Sequence, residues 1–322
     1  MVRRQVAGVI LLLCAGAAGC DRDASTGKAA PVQAAQAVIP AAPDALPAEQ
    51  TGGFDGAKAY EHAARIAALG PRPPGSEGHR KAQEYFRTQL RGYGCAVEED
   101  SFEASTPQGR VRMTNIVGKA AGGSDKIILL SSHYDTVVLS RVANFVGAED
   151  GASGNGVMLE LARLLCKRQN AMSMWIVFFD GEEAFVEWSE TDGAYGSRQM
   201  AAKMANSDDL KRIQAMIVAD MVGDKDLQFK REENSTEWLK DLVWDTAKKL
   251  GYGEHFADGE TDIQDDHIPF VKRKVSAVDI IDLEYPFWHT EQDTIDKVSA
   301  RSLGITGHVI LKTVEAVEKK PR

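Results

Sequence analysis

Four short apolar runs recur along the chain: "IILLSS" at 127–132, "WIVFF" at 175–179, "AMIVA" at 215–219 and "SAVDIID" at 276–282. Runs of this length with little polar alternation read as strands buried on both faces, and such strands belong to parallel sheets. Parallel neighbours need crossover connections, and the intervening stretches supply them. "GASGNGVMLELARLLCKR", "GAYGSRQMAAKMA" and "STEWLKDLVWDTAKKLG" each have helical spacing, the first with basic residues that suit a helix C-terminus. Upstream, "GAKAYEHAARIAALG" and "SEGHRKAQEYFRTQL" are helical around the turn-rich "PRPPG", while "CAVEEDSFEA" and "RVRMTNIVG" alternate as half-buried strands. "SLGITGHVILKTVEAVEKK" closes the chain as a helix. The expected architecture is one three-layer α/β/α domain over residues 53–322, with a central mixed, mostly parallel sheet.

The start of the chain is different in kind. Residues 1–20, "MVRRQVAGVILLLCAGAAGC", place Arg3 and Arg4 before an apolar core and small residues, the pattern of a secretory signal. "AAGC" resembles a bacterial lipoprotein cleavage box, which makes Cys20 the expected lipid-modified residue; plain export with cleavage nearby is the alternative. Residues 21–52 are rich in Ala, Pro and Gln and read as a disordered tether. The expected location is therefore the periplasm or cell envelope, with any membrane attachment through that anchor. A formal net charge of −9 and no basic run exclude a nucleic-acid binder. Cys95 and Cys166 fall in the globular part; Cys166 lies on an apolar helix, and a buried thiol is expected there rather than a disulfide.

The strand ends carry the chemistry. "IILLSS" runs into His133 and Asp135, "WIVFF" into Asp180, Glu182 and Glu183, and "AMIVA" into Asp220. "SAVDIID" leads to His289, and Asp150 stands in the glycine-rich "GAEDGASG" before a helix. Ligand sites of open α/β sheets form beyond the carboxyl ends of the strands, so these groups converge. Taken singly each is ordinary: an aspartate before a helix is commonly a cap, and adjacent glutamates commonly open a solvated helix. Together, imidazoles and carboxylates without thiolates suit a catalytic zinc. Adjacent glutamates repel, and the conflict is resolved if one holds the cation while its neighbour serves as a base.

At these residues a family resemblance emerges. "SSHYDT", "GAEDGASG", "FFDGEEAF", "VADMVGD" and "WHTEQDTIDKV" resemble the zinc-dependent aminopeptidase superfamily. More narrowly, "FFDGEEAFVEW", "DGAYGSRQMAAKM", "QDDHIPFVKR" and "FWHT" resemble animal-type glutaminyl-peptide cyclotransferases, over roughly Phe54 to Val317. That resemblance implies conversion of N-terminal glutamine of peptides or proteins to pyroglutamate with loss of ammonia. It implies one zinc bound by Asp150, Glu183 and His289, with Glu182 as general acid/base. Asp220 and Asp265 would line the reaction centre, Trp188 and Trp288 the glutamine pocket, and Gln264 would meet the substrate through its backbone. Asp266 and His267 are expected to be structural, and Thr290 and Asp293 to brace the His289 loop. A cysteine pair of the animal enzymes is replaced by Ser132 and Asn155. The alternative is a zinc aminopeptidase, which would add His133 and Asp220 as ligands of a second zinc.

Overall fold

The structure is a computed structural model that describes Ala42, residues 44–138, Val142 and residues 144–320. The expected signal segment and most of the tether lie outside the described residues. Among the described residues the helices are α1 (Gly56–Ala67), α2 (Glu77–Gly92), α3 (Ala152–Leu165), α4 (Tyr195–Asn206), α5 (Glu237–Lys249), α6 (Ile268–Val271) and α7 (Ala300–Lys319). The strands are β1 (Ala96–Thr106), β2 (Gly109–Ala120), β3 (Ile127–His133), β4 (Ser173–Phe179), β5 (Ile213–Asp220), β6 (Phe229–Glu232), β7 (Phe256–Thr261) and β8 (Ala277–Ile281).

Six strands form one sheet in the order β1-β2-β4-β3-β5-β8. β1 and β2 make an antiparallel hairpin, β2 lies antiparallel to β4, and β4, β3, β5 and β8 run parallel. The apolar runs are the four parallel strands, and their side chains sort by parity, as a pleated strand requires. Ile128, Leu130, Ile176, Phe178, Ile217 and Val278 pack with α1, α2, α3, α5 and α7 on one face. Ile127, Leu129, Val177, Phe179, Met216 and Val218 pack with α4 and α6 on the other. Both faces are thus apolar, which is why these runs show no alternation in the sequence. The three-layer expectation holds.

β3 is the pivot of the sheet. The connection through α3 reaches β4 on one side, and the connection through α4 returns to β5 on the other, so the crossovers part at the carboxyl end of β3 and open a crevice there.

Two expectations are corrected. Cys95 and Cys166 form a disulfide, with Cα atoms 5.2 Å apart. α3 stops at Leu165, so Cys166 is the residue capping its end rather than one inside it, and it meets the residue preceding β1. The tether boundary at residue 52 is also too late. Ala48–Thr51 form a 3-10 turn with Thr51 buried, and Phe54 packs so closely on α7 that a Cβ on Gly307 would fall 2.1 Å from its ring. A smaller parallel pair, β6 with β7, was not anticipated.

Candidate metal centre

His133 is the last residue of β3, and the chain beyond it is held by a buried arginine. Arg72, from the turn-rich "PRPPG", donates to the carbonyls of Tyr134, Val146 and Gly147. It thereby ties the end of β3 to the loop that carries Asp150. Burial lowers its pKa to about 10, which leaves it charged beneath Asp150, Asp293, Asp135 and Glu183. Gly151 follows at φ +85°, and a Cβ there would stand 3.1 Å from the His133 ring, so glycine is required at this approach.

Beyond β4, Asp180 turns inward and accepts from Tyr134 Oη and the Thr114 amide, with His79 Nε2 at 2.8 Å. The Asp135 carboxylate accepts the amides of both Glu182 and Glu183, at 3.0 and 3.3 Å. This anchor fixes the backbone so that the adjacent side chains take different partners. Glu183 Oε1 accepts from the Val137 amide at 3.1 Å, which leaves Oε2 facing His289 Nε2 at 3.5 Å. Asp150 Oδ2 lies 3.3 Å from the same nitrogen and has no hydrogen-bond partner although it is buried. His289 itself adopts a left-handed φ of 54°, a backbone strain of the kind that gathers at functional sites.

The ligand atoms of Asp150, Glu183 and His289 lie within 4.8 Å of one another, and those of His133, Asp150 and Asp220 form a second such group. His133 Nε2 is 3.2 Å from both Asp150 Oδ1 and Asp220 Oδ1. Burial and the neighbouring Asp150 raise the Glu183 carboxyl to about 7. Burial and nearby acids likewise take Asp220 to about 6 against the pull of His133. Burial would lower His289, but the facing Asp150 and Glu183 carboxylates lift it to about 10. Acids that resist ionising and an imidazole that holds its proton describe a cluster short of positive charge. Two carboxylates and one imidazole, one of them with an unpartnered buried oxygen, fit a zinc ion.

Asp293 accepts the Glu149 and Asp150 amides and the Tyr285 hydroxyl, and so braces the Asp150 loop as well as its own. Thr290 binds back to the Phe287 carbonyl within the His289 loop.

A cavity of about 480 Å³ opens in front of these groups and is lined by Asp150, Glu182, Glu183, Asp220, Asp265 and His289 together with Trp188, Trp288 and Gln264. Trp288 stacks on His289 at 4.1 Å and is 45 % exposed, so it is a wall of the mouth and not a core aromatic. The ten residues expected to hold metal, act in catalysis or meet substrate, His133 included, are brought together at this crevice, whereas Asp180, also expected to converge there, is taken up by His79, Tyr134 and Thr114 behind it.

Asp265 has a neighbour that the sequence reading passed over. Asp279 is fully buried in the middle of β8, and neither of its oxygens meets a donor. Burial, then the Asp265 and Asp220 carboxylates, push its carboxyl well above the ordinary range. A lone aspartate inside "AVDII" was the available signal, because a charge at the centre of a doubly buried strand demands a partner. Arg72, framed by turn residues, gave no such signal. Asp266 is fully buried beside Asp265, and His267 Nε2 stands 3.0 Å from Glu232, consistent with structural roles for both.

Comparison with known proteins agrees with this geometry. Residues 115–314 match the model of peptidase family M28. The glutaminyl-peptide cyclotransferase of Drosophila melanogaster is 31 % identical over 250 residues, spanning 69 % of this chain and 70 % of the relative. The crystal structure of a glutaminyl cyclase from an Acidobacteriales bacterium superposes with a TM-score of 0.80 at 39 % identity, covering 83 % of this chain and 96 % of the other. A zinc-dependent exopeptidase from Parabacteroides distasonis superposes with a TM-score of 0.74 at 26 % identity, covering 83 % and 99 %.

Proposed function

The chain belongs to peptidase family M28, with the glutaminyl-peptide cyclotransferases, and from that premise we propose that it closes N-terminal glutamine into pyroglutamate at a single zinc ion held by Asp150, Glu183 and His289. One observation carries the reading: those three side chains converge while the adjacent, equally buried Glu182 faces the same tryptophan-walled cavity. When bound, the ion polarises the γ-amide carbonyl as a Lewis acid.

The protein's own groups supply the rest. The free α-amine attacks the carbonyl carbon of the side-chain amide, and Glu182 accepts the proton that the attacking nitrogen sheds as the C–N bond forms. The same carboxyl then returns that proton to the side-chain amide nitrogen, which leaves as ammonia when its bond to carbon breaks. Burial and the surrounding acids hold the Glu182 carboxyl well above the ordinary range, against the influence of His133, so it takes a proton readily. Asp265, beside Asp279, accepts from the amide nitrogen, and Trp188 and Trp288 enclose a neutral side chain and fold it into attack geometry.

His133 Nε2 lies 3.2 Å from both Asp150 Oδ1 and Asp220 Oδ1. The same trio is what a second zinc would use, and it is the one feature that favours the aminopeptidase reading. The assay that separates them incubates the zinc-supplemented protein with a glutamine-initiated peptide carrying a C-terminal fluorophore. Ammonia release with the fluorophore retained is expected; fluorophore freed without a coupling peptidase overturns the cyclase reading.

The N-terminal pattern supports export to the cell envelope with Cys20 as the lipid-modified residue. The Cys95–Cys166 disulfide supports an oxidising compartment. Among the described residues no helix is long and apolar enough to cross a membrane.

A further inference from the structure

A second cavity, of about 410 Å³, adjoins the first and shares Trp188, Gln264 and Asp265 with it as a common wall. It runs between the loop around Glu190 and α6, over a floor that includes Ile268 and Pro269, and three cationic side chains line it. Arg198 donates to the carbonyls of Ala194, Glu190 and Thr191, which fix the guanidinium over the Tyr195 ring with the Asp192 carboxylate nearby. Arg273 donates Nη1 to the Pro269 carbonyl, and among the described residues it has no carboxylate partner. Lys272 pairs with Glu190 at 3.0 Å, both side chains being largely exposed. The remaining acid, Asp265, is buried at the wall shared with the reaction cavity. In a chain of net charge −9, a concave surface lined by three cations, next to the reaction cavity, is a distinct local field.

Among the described residues the rest of the mouth presents no lysine or arginine to an anion. Val186, Leu283 and Trp288, large apolar side chains exposed by 73, 38 and 45 %, line the reaction cavity there. A peptide whose first residue occupies the reaction cavity must leave across one of its walls, and among the described residues the wall shared with the second cavity leads to positive charge.

We propose that this second cavity receives the side chain of the second or third residue of the substrate and favours glutamate or aspartate there. The proposal rests on the cyclase reading and deepens it by naming a substrate class. Arg198 fixes the loop and the field, while Arg273 and Lys272 supply direct partners for the carboxylate.

The test compares kcat/KM for ammonia release from C-terminally amidated peptides that carry Glu, Ala or Lys at position two or three after glutamine. The glutamate peptide is expected to exceed its alanine counterpart by about two- to fivefold at low salt, the scale of a partly exposed ion pair, with the lysine peptide below both. The preference narrows at high salt. In a Lys272→Glu, Arg273→Glu double variant the glutamate-to-alanine ratio falls to one or below. Equal values for Glu, Ala and Lys at both positions, with alanine peptides turned over, overturn the proposal alone. So does a preference unchanged by salt or by the charge reversal. Absence of ammonia release from every glutamine peptide overturns the cyclase reading and the proposal with it.

Discussion

Glu182 and Glu183 are consecutive and equally buried, yet the Asp135 anchor sends them to different tasks, and substitutions can separate those tasks. Glu182 lies no closer than 3.9 Å to His133 and makes no approach to His289, so Glu182→Gln keeps the size of the side chain and leaves the three proposed ligands untouched. The expected result is a loss of about two to four orders of magnitude in kcat, the usual contribution of a general acid/base, with zinc still stoichiometric by elemental analysis. His289→Ala behaves differently: it deletes the nitrogen on which Asp150 Oδ2 and Glu183 Oε2 both close, so metal and turnover disappear together. A Glu182→Gln protein that kept more than a tenth of its turnover would remove that residue from the proton path.

Helix packing carries its own pH dependence, away from the crevice. His62 on α1 places Nδ1 2.7 Å from Tyr85 Oη on α2 and Nε2 2.8 Å from Tyr93 Oη at the end of α2. Burial drives its pKa down to about 4. Above the unfolded histidine value of about 6.5 neither state carries the proton and the effect is silent. Below it the unfolded chain binds a proton that the native imidazole refuses until about pH 4, so the native state loses up to about 3 kcal/mol across that window. Urea titrations from pH 7 to 4.5 should show wild type losing stability faster than His62→Gln, and parallel curves would rule out the clamp. Elements of this kind differed in how plainly the sequence announced them. The parallel strands were legible because burial on both faces leaves unbroken apolar runs, and their carboxyl ends located the site without further information. β6 and β7 were not, since "FKRE" and "FADGET" are short and largely polar and exist as strands only through their pairing with each other. Cys166 misled because an apolar run shows a helix but not its last residue, and Asp279 announces only a buried charge in need of a partner, because its nearness to Asp265 is set by the fold.

The whole molecule has two stabilising fastenings at opposite ends of α3. The helix begins at Ala152, two residues past Asp150, and ends at Leu165, one residue before Cys166. Its 14 residues put roughly 21 Å between the proposed metal centre and the disulfide. The proposed ion would join the Asp150 loop before α3, the turn after β4 that carries Glu183 and the His289 loop, and its removal would leave buried carboxylates uncompensated. A metal at a thousand times its dissociation constant stabilises the native state by about 4 kcal/mol. The disulfide spans 71 residues, and in the chain-entropy view closing such a loop contributes roughly 4 kcal/mol as well. Perturbations this far apart with no shared partner should add. Chelation is therefore expected to abolish turnover and lower the urea midpoint, while replacing Cys95 and Cys166 by serine lowers the midpoint and leaves kcat per folded molecule near wild type. Chelating the serine variant should then cost the sum of the two losses to within about 0.5 kcal/mol. A larger discrepancy, or a kcat that falls with the disulfide, would mean that α3 transmits strain between its ends and that the metal centre is not independent of the far side of the fold.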